Sequence, residues 1–193
     1  MNYWSVPHLW PGSTIVCIGG GPSLIADQID AVHRAGVHVI AVNDAYRLAP
    51  WADVLYAADL RWWQRNQGVP GFAGLKVTLD ATMPIEFKDI KVLRRTGNDG
   101  LECDPGGLRT GGNGGYQAIN MAVHLGAAKI LLIGYDMRFA VKDNQTRTHW
   151  FGEHPDRATT KGDRACWLRF FPTLVAPLAA IGIRVVNCTP GSA

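Results

Sequence analysis

The sequence predicts a single three-layer α/β domain with a mostly parallel central sheet. Short apolar runs, each bounded by glycine or polar residues, alternate with stretches of helical periodicity. This alternation is typical of parallel strands that are connected by helices. The chain has 193 residues, of which 47% are hydrophobic and 18% are charged, so it can form one substantial core. We therefore expect residues 1–193 to form one domain, with residues 1–12 as an irregular N-terminal arm.

Charge and cysteine content narrow the functional classes. Nineteen basic and sixteen acidic residues give a net charge of +3, which is too small to indicate nucleic-acid binding by itself. The four cysteines are scattered without a Cys-x-x-Cys pair, so neither a zinc site nor a disulfide framework is expected. No apolar run reaches membrane-spanning length, and no secretion-signal pattern is present at the N-terminus. These features predict a cytoplasmic protein without a membrane partner, and they do not indicate an oligomeric state.

A glycine-rich turn follows the first predicted strand. The strand is predicted from four consecutive apolar residues, 15–18, and a helix is predicted over residues 24–35. The residues between them are Gly19, Gly20, Gly21, Pro22 and Ser23. Such a turn binds phosphate in many proteins, because glycine lets the backbone approach closely and free N–H groups donate to the anion. The alternative is a tight turn without a ligand, since neither a Walker loop nor the Gly-x-Gly-x-x-Gly pattern is present.

Polar side chains follow three further predicted strands. Asn43, Asp59 and Asp136 each come within three residues of the end of an apolar run. In an open parallel sheet, the carboxyl ends of the strands border the ligand crevice. Asn43 can therefore contact the edge of a base or a ribose hydroxyl; its alternative role is to cap a short helix over residues 45–48.

A second glycine-rich segment lies at residues 106–115 and precedes a predicted helix over residues 116–125. It contains six glycines in ten residues, more than a turn requires. This excess indicates backbone that is held close to a ligand, again at a helix N-terminus. Elsewhere the adjacent Trp62 and Trp63 cannot face the same side of a helix, so we expect one in the core and the other at a lid or stacking surface.

The remaining elements have less regular patterns. Short strands are predicted over residues 76–79 and 90–93. A helix over residues 163–180 is expected to kink or split at Pro172 and Pro177, because proline removes a backbone donor.

Residues 138–161 are polar and are predicted to form an active-site loop. The loop contains His149 and His154, flanked by aromatic residues. Histidine suits acid–base chemistry because its ordinary pKa lies near neutrality. The two histidines and Glu153 are also potential metal ligands, but no further ligand lies at a suitable spacing, so no metal site is predicted.

The order of these motifs resembles that of one superfamily. The recurring segments are Ile18 to Leu24, Val42-Asn43, Thr110-Gly111-Gly112, Ile133-Gly134-Tyr135-Asp136, Gly152-x-His154 and Asn187-x-x-Pro190-x-Ser192. Together they resemble the bacterial α-2,3/2,8-sialyltransferases, which have a variant Rossmann fold. They also resemble the related family of archaeal hydroxymethylpterin pyrophosphokinase and flagellin motility accessory glycosyltransferases, and most closely its phage and prophage members. The resemblance covers most of the chain except residues 1–12 and 70–105.

The resemblance implies a Rossmann-like fold and a nucleotide site. The implied contacts with the nucleotide are Gly19, Gly20, Gly21, Pro22, Ser23, Asn43, Thr110, Gly111 and Gly112. The first five would hold phosphate or ribose, and the last three would lie against the base or the sugar. Asp59 joins these binding candidates from its position at a strand end.

The resemblance also implies a general base. In the sialyltransferases, the final histidine of a His-Tyr-Ile-Gly-His segment deprotonates the acceptor hydroxyl. The corresponding residues 149–154 contain one insertion, which makes His154 the first candidate and His149 the second. Those enzymes hold the leaving phosphate with two tyrosines, whereas this chain has Arg138 and Lys142 in that region. Basic residues would take that role here, or the donor differs.

The motifs and the resemblance are therefore consistent with three alternative functions. The first is a glycosyltransferase that moves a sugar from a nucleotide-sugar donor to an acceptor hydroxyl by direct displacement. The second is a pyrophosphokinase that uses Mg²⁺ and ATP on a hydroxymethyl heterocycle, with Asp59 and Asp136 as metal ligands. The third is a nucleotide-binding module without catalysis. His154, His149 and Asp136 are the candidate catalytic residues; the acceptor is not identified, and a modified nucleotide or DNA is a candidate.

Overall fold

The structure is a computed structural model that describes residues 3–83, 87–142, 145–152 and 160–193. In chain order its elements are β1 (Ser13–Ile18), α1 (Ala26–Ala35), β2 (His38–Val42), β3 (Val54–Tyr56), α2 (Leu60–Arg65), β4 (Leu75–Thr78), β5 (Ile90–Val92), β6 (Arg94–Gly97), β7 (Gly107–Arg109), α3 (Gly114–Leu125), β8 (Ala127–Ile133), β9 (Ala140–Lys142), β10 (Gln145–Arg147), α4 (Lys161–Phe170), α5 (Val175–Ala180) and β11 (Arg184–Asn187). Within these ranges, short 3₁₀ helices cover Asn43–Arg47 and Phe171–Leu174. None of the helices described is long and apolar enough to cross a membrane.

Seven strands form the central sheet in the order β11-β8-β1-β2-β3-β4-β5, and all neighbouring strands are parallel. From β1 the chain moves outward through β2 to β5 on one side, and it then places β8 and β11 on the other side. This change of direction makes the gap between β1 and β8 the topological switch point of the sheet. The predicted single-domain, Rossmann-like α/β class is confirmed.

Hydrophobic clusters cover both faces of the sheet. Ile15 and Cys17 of β1 belong to one cluster, and Val16 and Ile18 belong to the other, because successive strand residues point to opposite faces. The first cluster includes side chains of α3 and α5, and the second includes side chains of α1 and α2. The sheet is therefore the middle layer of three, as predicted.

Trp62 and Trp63 are both core residues, so the prediction that one of them forms a lid or stacking surface is wrong. Trp62 is 2% exposed and Trp63 is fully buried. The Trp62 indole donates to Oδ2 of Asp44 at 2.9 Å, and the Trp63 indole donates to the carbonyl of Ala57 at 3.0 Å. Because both N–H groups have acceptors, neither ring carries the cost of an unsatisfied polar group into the core.

Several boundaries differ from the predictions. The strands expected at 76–79 and 90–93 are present as β4 and β5. The short strands β6 and β7 pair in parallel in a separate sheet, and β9 and β10 form an antiparallel pair within the predicted loop. The last helical segment splits, as expected, through a 3₁₀ turn that contains Pro172. Pro177 instead lies in the first turn of α5, where a missing N–H costs no helical hydrogen bond.

The described part of the N-terminal arm packs against the end of α3. Val6 is buried in the core, and the N–H of Trp10 donates to the carbonyl of Leu125 at 2.8 Å. The N–H of Gly12 donates to the carbonyl of Gly126, also at 2.8 Å. These bonds fix the point at which the chain enters β1.

A buried histidine on α3 predicts a pH-dependent stability. His124 Nε2 lies 3.1 Å from the carbonyl oxygen of Gly107, and burial lowers the pKa of His124 below 6.5, opposed by that hydrogen bond and by Glu102 and Asp104. Between this lowered pKa and pH 6.5, the unfolded chain binds a proton that the folded protein does not. The free energy of unfolding therefore decreases as the pH is lowered through this range. Urea unfolding at pH 7.5 and 5.5 is expected to show a smaller acid loss for His124→Gln than for wild type. Equal losses in the two proteins would contradict this assignment.

Candidate functional site

A crevice of about 700 Å³ lies at the topological switch point, outside the carboxyl ends of the strands. It is bordered by the glycine turn after β1, the ends of β2 and β8, the start of α3 and one face of α4. The structure brings Asn43, Asp59 and Asp136 together here, with Asp80 from the end of β4 beside them. Open α/β sheets bind their ligands at this position, which makes the crevice the candidate site.

The glycines of the first turn are required by a close approach between two parts of the chain. A Cβ on Gly19 would lie 2.6 Å from the carbonyl oxygen of Gly134. A Cβ on Gly21 would lie 2.6 Å from the same oxygen and would overlap the carboxylate of Asp136. Gly20 differs, since the nearest atom to its Cβ position is Cδ2 of His149, at 3.3 Å. The turn after β1 is therefore pressed against the segment that follows β8.

The N–H groups of this turn bond within the protein. Gly19 donates to the carbonyl of Ile133 and Gly21 to the carbonyl of Gly134, both at 2.8 Å. The N–H of Ser23 donates to Oδ1 of Asp136 at 3.1 Å. These three donors therefore have partners within the protein, and one of the partners is the side chain of Asp136. The role of the turn in holding a phosphate stays a prediction.

Asp136 is held by the last residues of the described chain. Its side chain is 3% exposed, and its Oδ2 has no hydrogen-bond partner within the described structure. The hydroxyl of Ser192 donates to the carbonyl of Tyr135 at 2.7 Å, and the N–H of Tyr135 donates to Oγ1 of Thr189 at 2.9 Å. The N–H of Ala193 donates to the carbonyl of Asp136 at 3.0 Å. The closing motif therefore positions Asp136.

The second glycine segment reaches the crevice only in part. Gly112, Gly114 and Gly115 line it, and α3 begins at Gly114. The side chain of Asn113 caps α3 by accepting from the N–H groups of Gly115 and Tyr116, at 2.8 and 3.3 Å. A side chain thus takes two of the donors at this helix N-terminus.

Thr110 and Gly111 do not line the crevice, contrary to the role that the resemblance implies. The Thr110 hydroxyl donates to Oδ1 of Asn98 at 2.9 Å, and its carbonyl accepts from the side chain of Gln117. A Cβ on Gly111 would overlap the ring of Tyr116. Both residues therefore serve the packing of the segment before α3.

Asn43 lies at the start of a 3₁₀ helix and has a positive φ of 51°. The N-cap of that helix is Val42 and Asn43 is its first residue, so the alternative that Asn43 caps a helix over residues 45–48 is corrected. Asn43 lines the crevice directly after β2, as predicted for a residue at a strand end.

Among the residues that the structure describes, three arginines border the crevice: Arg61, Arg138 and Arg164. Arg138 donates to the carbonyl of Pro190 at 3.4 Å, and the Arg164 guanidinium lies 5.2 Å from the centre of the Phe139 ring. The sequence predicted Arg138 alone. Arg61 and Arg164 lie on helices far apart in the chain, and no local motif marks them.

Asp59 and Asp80 follow the adjacent strands β3 and β4. Asp80 accepts from the N–H of Leu60 at 3.1 Å and from the N–H of Thr82 at 2.9 Å. Burial alone would raise the pKa of Asp80, but the hydrogen bonds from Thr82 and Leu60 outweigh it and lower that pKa. Within the described ranges, no group of three or more His, Cys, Asp or Glu side chains is arranged to hold a metal ion.

His149 is the described histidine of the crevice. The N–H of His149 donates to the carbonyl of Gly152 at 3.0 Å, and the N–H of Trp150 donates to the carbonyl of Gly20 at 3.1 Å. The imidazole stacks on Phe151 with ring centres 5.0 Å apart. The turn thus holds His149 over the first glycine turn. His154, the first candidate for the base, and Glu153 lie outside the described residues, as does the side chain of Lys142.

No family model matches the chain, and comparisons with curated proteins and with solved structures give no match. The resemblance to the sialyltransferases and to the pyrophosphokinase family therefore stays a prediction. The functional conclusion has to be drawn from the crevice itself, since a fold by itself does not determine an activity.

Proposed function

We propose that the crevice binds a nucleotide donor and that the protein is a nucleotide-dependent transferase, specifically a glycosyltransferase. The observation that carries this proposal is the meeting of three arginines and a histidine at the switch point of a parallel sheet. Switch-point crevices of this fold class accommodate nucleotides, and guanidinium groups match phosphate geometry.

The arginines are the proposed phosphate site. The N–H groups of Gly19, Gly21 and Ser23 already bond within the protein, so these three groups are not free to donate to a phosphate. Arg138 is exposed, and Arg61 is exposed as well, so both can reorient toward a ligand. Charge-assisted bonds from arginine to phosphate are among the strongest hydrogen bonds available to a protein.

His149 is the proposed general base among the described residues. In the proposed reaction, the acceptor oxygen forms a bond to the anomeric carbon while the bond from that carbon to the donor phosphate breaks. The acceptor proton passes to His149, and the arginines stabilise the charge that develops on the departing phosphate. This assignment places the base beside Gly20 in the wall of the crevice.

A pyrophosphokinase is the second candidate, and one observation favours it. Asp59 and Asp80 both line the crevice from the ends of adjacent strands. Magnesium that is held mainly by phosphate oxygens and water needs only one or two protein carboxylates. Release of AMP from ATP that requires Mg²⁺ would favour this activity. Release of nucleotide from a sugar donor that persists with a chelator would favour the glycosyltransferase.

We expect His149→Ala to lower turnover by about 10²- to 10⁴-fold with little change in nucleotide affinity, because a general base acts on the acceptor. The measurement is release of nucleotide from CMP-, UDP- and GDP-sugars, with affinity determined by calorimetry. His33→Ala is the matched control, since His33 stacks on Trp51 outside the crevice. Unchanged turnover in His149→Ala would remove His149 as the base. If the wild type binds nucleotide but shows no turnover, the protein would be a nucleotide-binding module without catalysis.

A further inference from the structure

Trp167 is the one tryptophan among the described residues that lines the crevice. It lies on α4, a helix of ten residues in which no residue is buried, so core packing does not account for the ring. Trp62 and Trp63 lie in the core, while Trp10 stacks on His38 outside the crevice. Trp167 therefore needs a separate explanation.

The other aromatic rings of the crevice wall already have partners. His149 stacks on Phe151, and the Arg164 guanidinium lies over Phe139. Trp167 takes part in no ring pair within the described residues. Its Cδ1 lies 3.9 Å from the position that a Cβ on Gly112 would occupy. The indole thus borders the crevice beside the glycine segment that precedes α3.

Arg164 precedes Trp167 by three residues on α4, so the two side chains project from the same face of the helix. Both line the crevice. One face of α4 therefore offers a cation and an aromatic surface about one helical turn apart. This pairing suits a ligand that carries a phosphate and a planar ring, since the cation binds the first and the indole stacks on the second.

We propose that Trp167 is the stacking platform for a planar heterocyclic ring of the ligand, and that it sets the preference for that ligand class. The proposal rests on the proposed function to the extent that a nucleotide supplies the ring. Stacking on an aromatic side chain tolerates different bases because every base has a π face, so Trp167 selects for planarity rather than for one base.

The test is titration of adenosine, guanosine, cytidine and uridine, and of their 5′-monophosphates, followed by tryptophan fluorescence and by calorimetry. At least one nucleoside is expected to quench the emission of the wild type saturably. Trp167→Ala is expected to lose this quenching and to bind that nucleoside about 5- to 150-fold more weakly. Trp167→Phe should retain most of the affinity. Trp51→Phe is the control that keeps the quenching, because Trp51 stacks on His33 outside the crevice.

Thermal melting of each variant distinguishes a loss of binding from a loss of folding. If Trp167→Ala does not fold, Trp167→Leu replaces it, because leucine is apolar but has no ring. Failure of all four nucleosides to bind, or equal affinity in wild type and Trp167→Ala, would overturn the proposal. Nucleotides that bind through Arg138 without any dependence on Trp167 would leave the transferase proposal standing and remove the stacking site. If nucleosides bind through Trp167 and the 5′-phosphate adds no affinity, the stacking site would stand and the proposed phosphate site would be removed.

Discussion

Gly21→Ala is expected to destabilise the protein and to abolish nucleotide binding, whereas Gly20→Ala leaves the fold intact. A Cβ at position 21 would meet the carbonyl oxygen of Gly134 at 2.6 Å and would overlap the Asp136 carboxylate. The segment after β8 would have to move away from β1, which opens the floor of the crevice. Overpacking of this kind typically costs about 1–3 kcal/mol, and contact with a backbone atom gives little freedom to relax.

Gly20→Ala is a closely matched control in the same turn. The nearest atom to its added Cβ is Cδ2 of His149 at 3.3 Å, and that side chain can shift by a few tenths of an ångström. Urea unfolding of both variants, together with nucleotide titration, checks the comparison. Equal stability of the two variants would show that the turn after β1 is not pressed against Asp136.

Trp63→Ala is expected to lower the free energy of unfolding by about 3–5 kcal/mol, as for other large aromatic residues removed from a core. Trp63 is fully buried, lies edge-on to Trp62 with ring centres 5.0 Å apart, and donates to the carbonyl of Ala57. Truncation removes the ring and leaves that buried carbonyl without its donor. Since small proteins have about 5–15 kcal/mol of stability in total, this one change should be visible in any denaturation experiment.

Trp51→Ala provides the comparison for Trp63, because Trp51 is half-buried and stacks on His33 at the protein surface. Its loss is expected to cost clearly less than the loss of Trp63. A cost below about 1 kcal/mol for Trp63→Ala would contradict the burial of Trp63, since that is far less than core truncations cost. Such a small cost would indicate that Trp63 lies at the surface, as the sequence predicted for one of the two tryptophans.

The fold was predictable because its strands are buried on both faces. The apolar runs that form β1 and β8 can be recognised as buried strands from the local sequence alone. The helices between successive strands then predict that the strands are parallel. The convergence of Asn43, Asp59 and Asp136 was also predictable, since the ends of parallel strands share one edge. These features depend on local pattern and on a general property of the fold.

The contacts of the two glycine segments were not predictable from the sequence. A glycine permits the close approach of another part of the protein, but the sequence does not show which part approaches it. In the folded protein Gly21 approaches the Asp136 carboxylate, and Gly111 approaches the ring of Tyr116. Residues 21 and 136 meet only because β1 and β8 are neighbours, which depends on the strand order. Arg61 and Arg164 were missed for the same reason, since tertiary structure alone brings α2 and α4 to one crevice.

The most direct test of the nucleotide site is calorimetric titration of the protein with CMP, UDP, GDP, ATP and AMP, with and without Mg²⁺, at low and high salt. We predict that at least one nucleotide binds, that salt weakens the binding because Arg61 and Arg138 are exposed, and that Arg138→Gln lowers the affinity by about 10- to 100-fold. A requirement for Mg²⁺ with ATP would favour the pyrophosphokinase, and metal-independent binding of CMP, UDP or GDP would favour the glycosyltransferase. Absence of binding by all five nucleotides, or binding that neither salt nor Arg138→Gln affects, would contradict the proposed phosphate site.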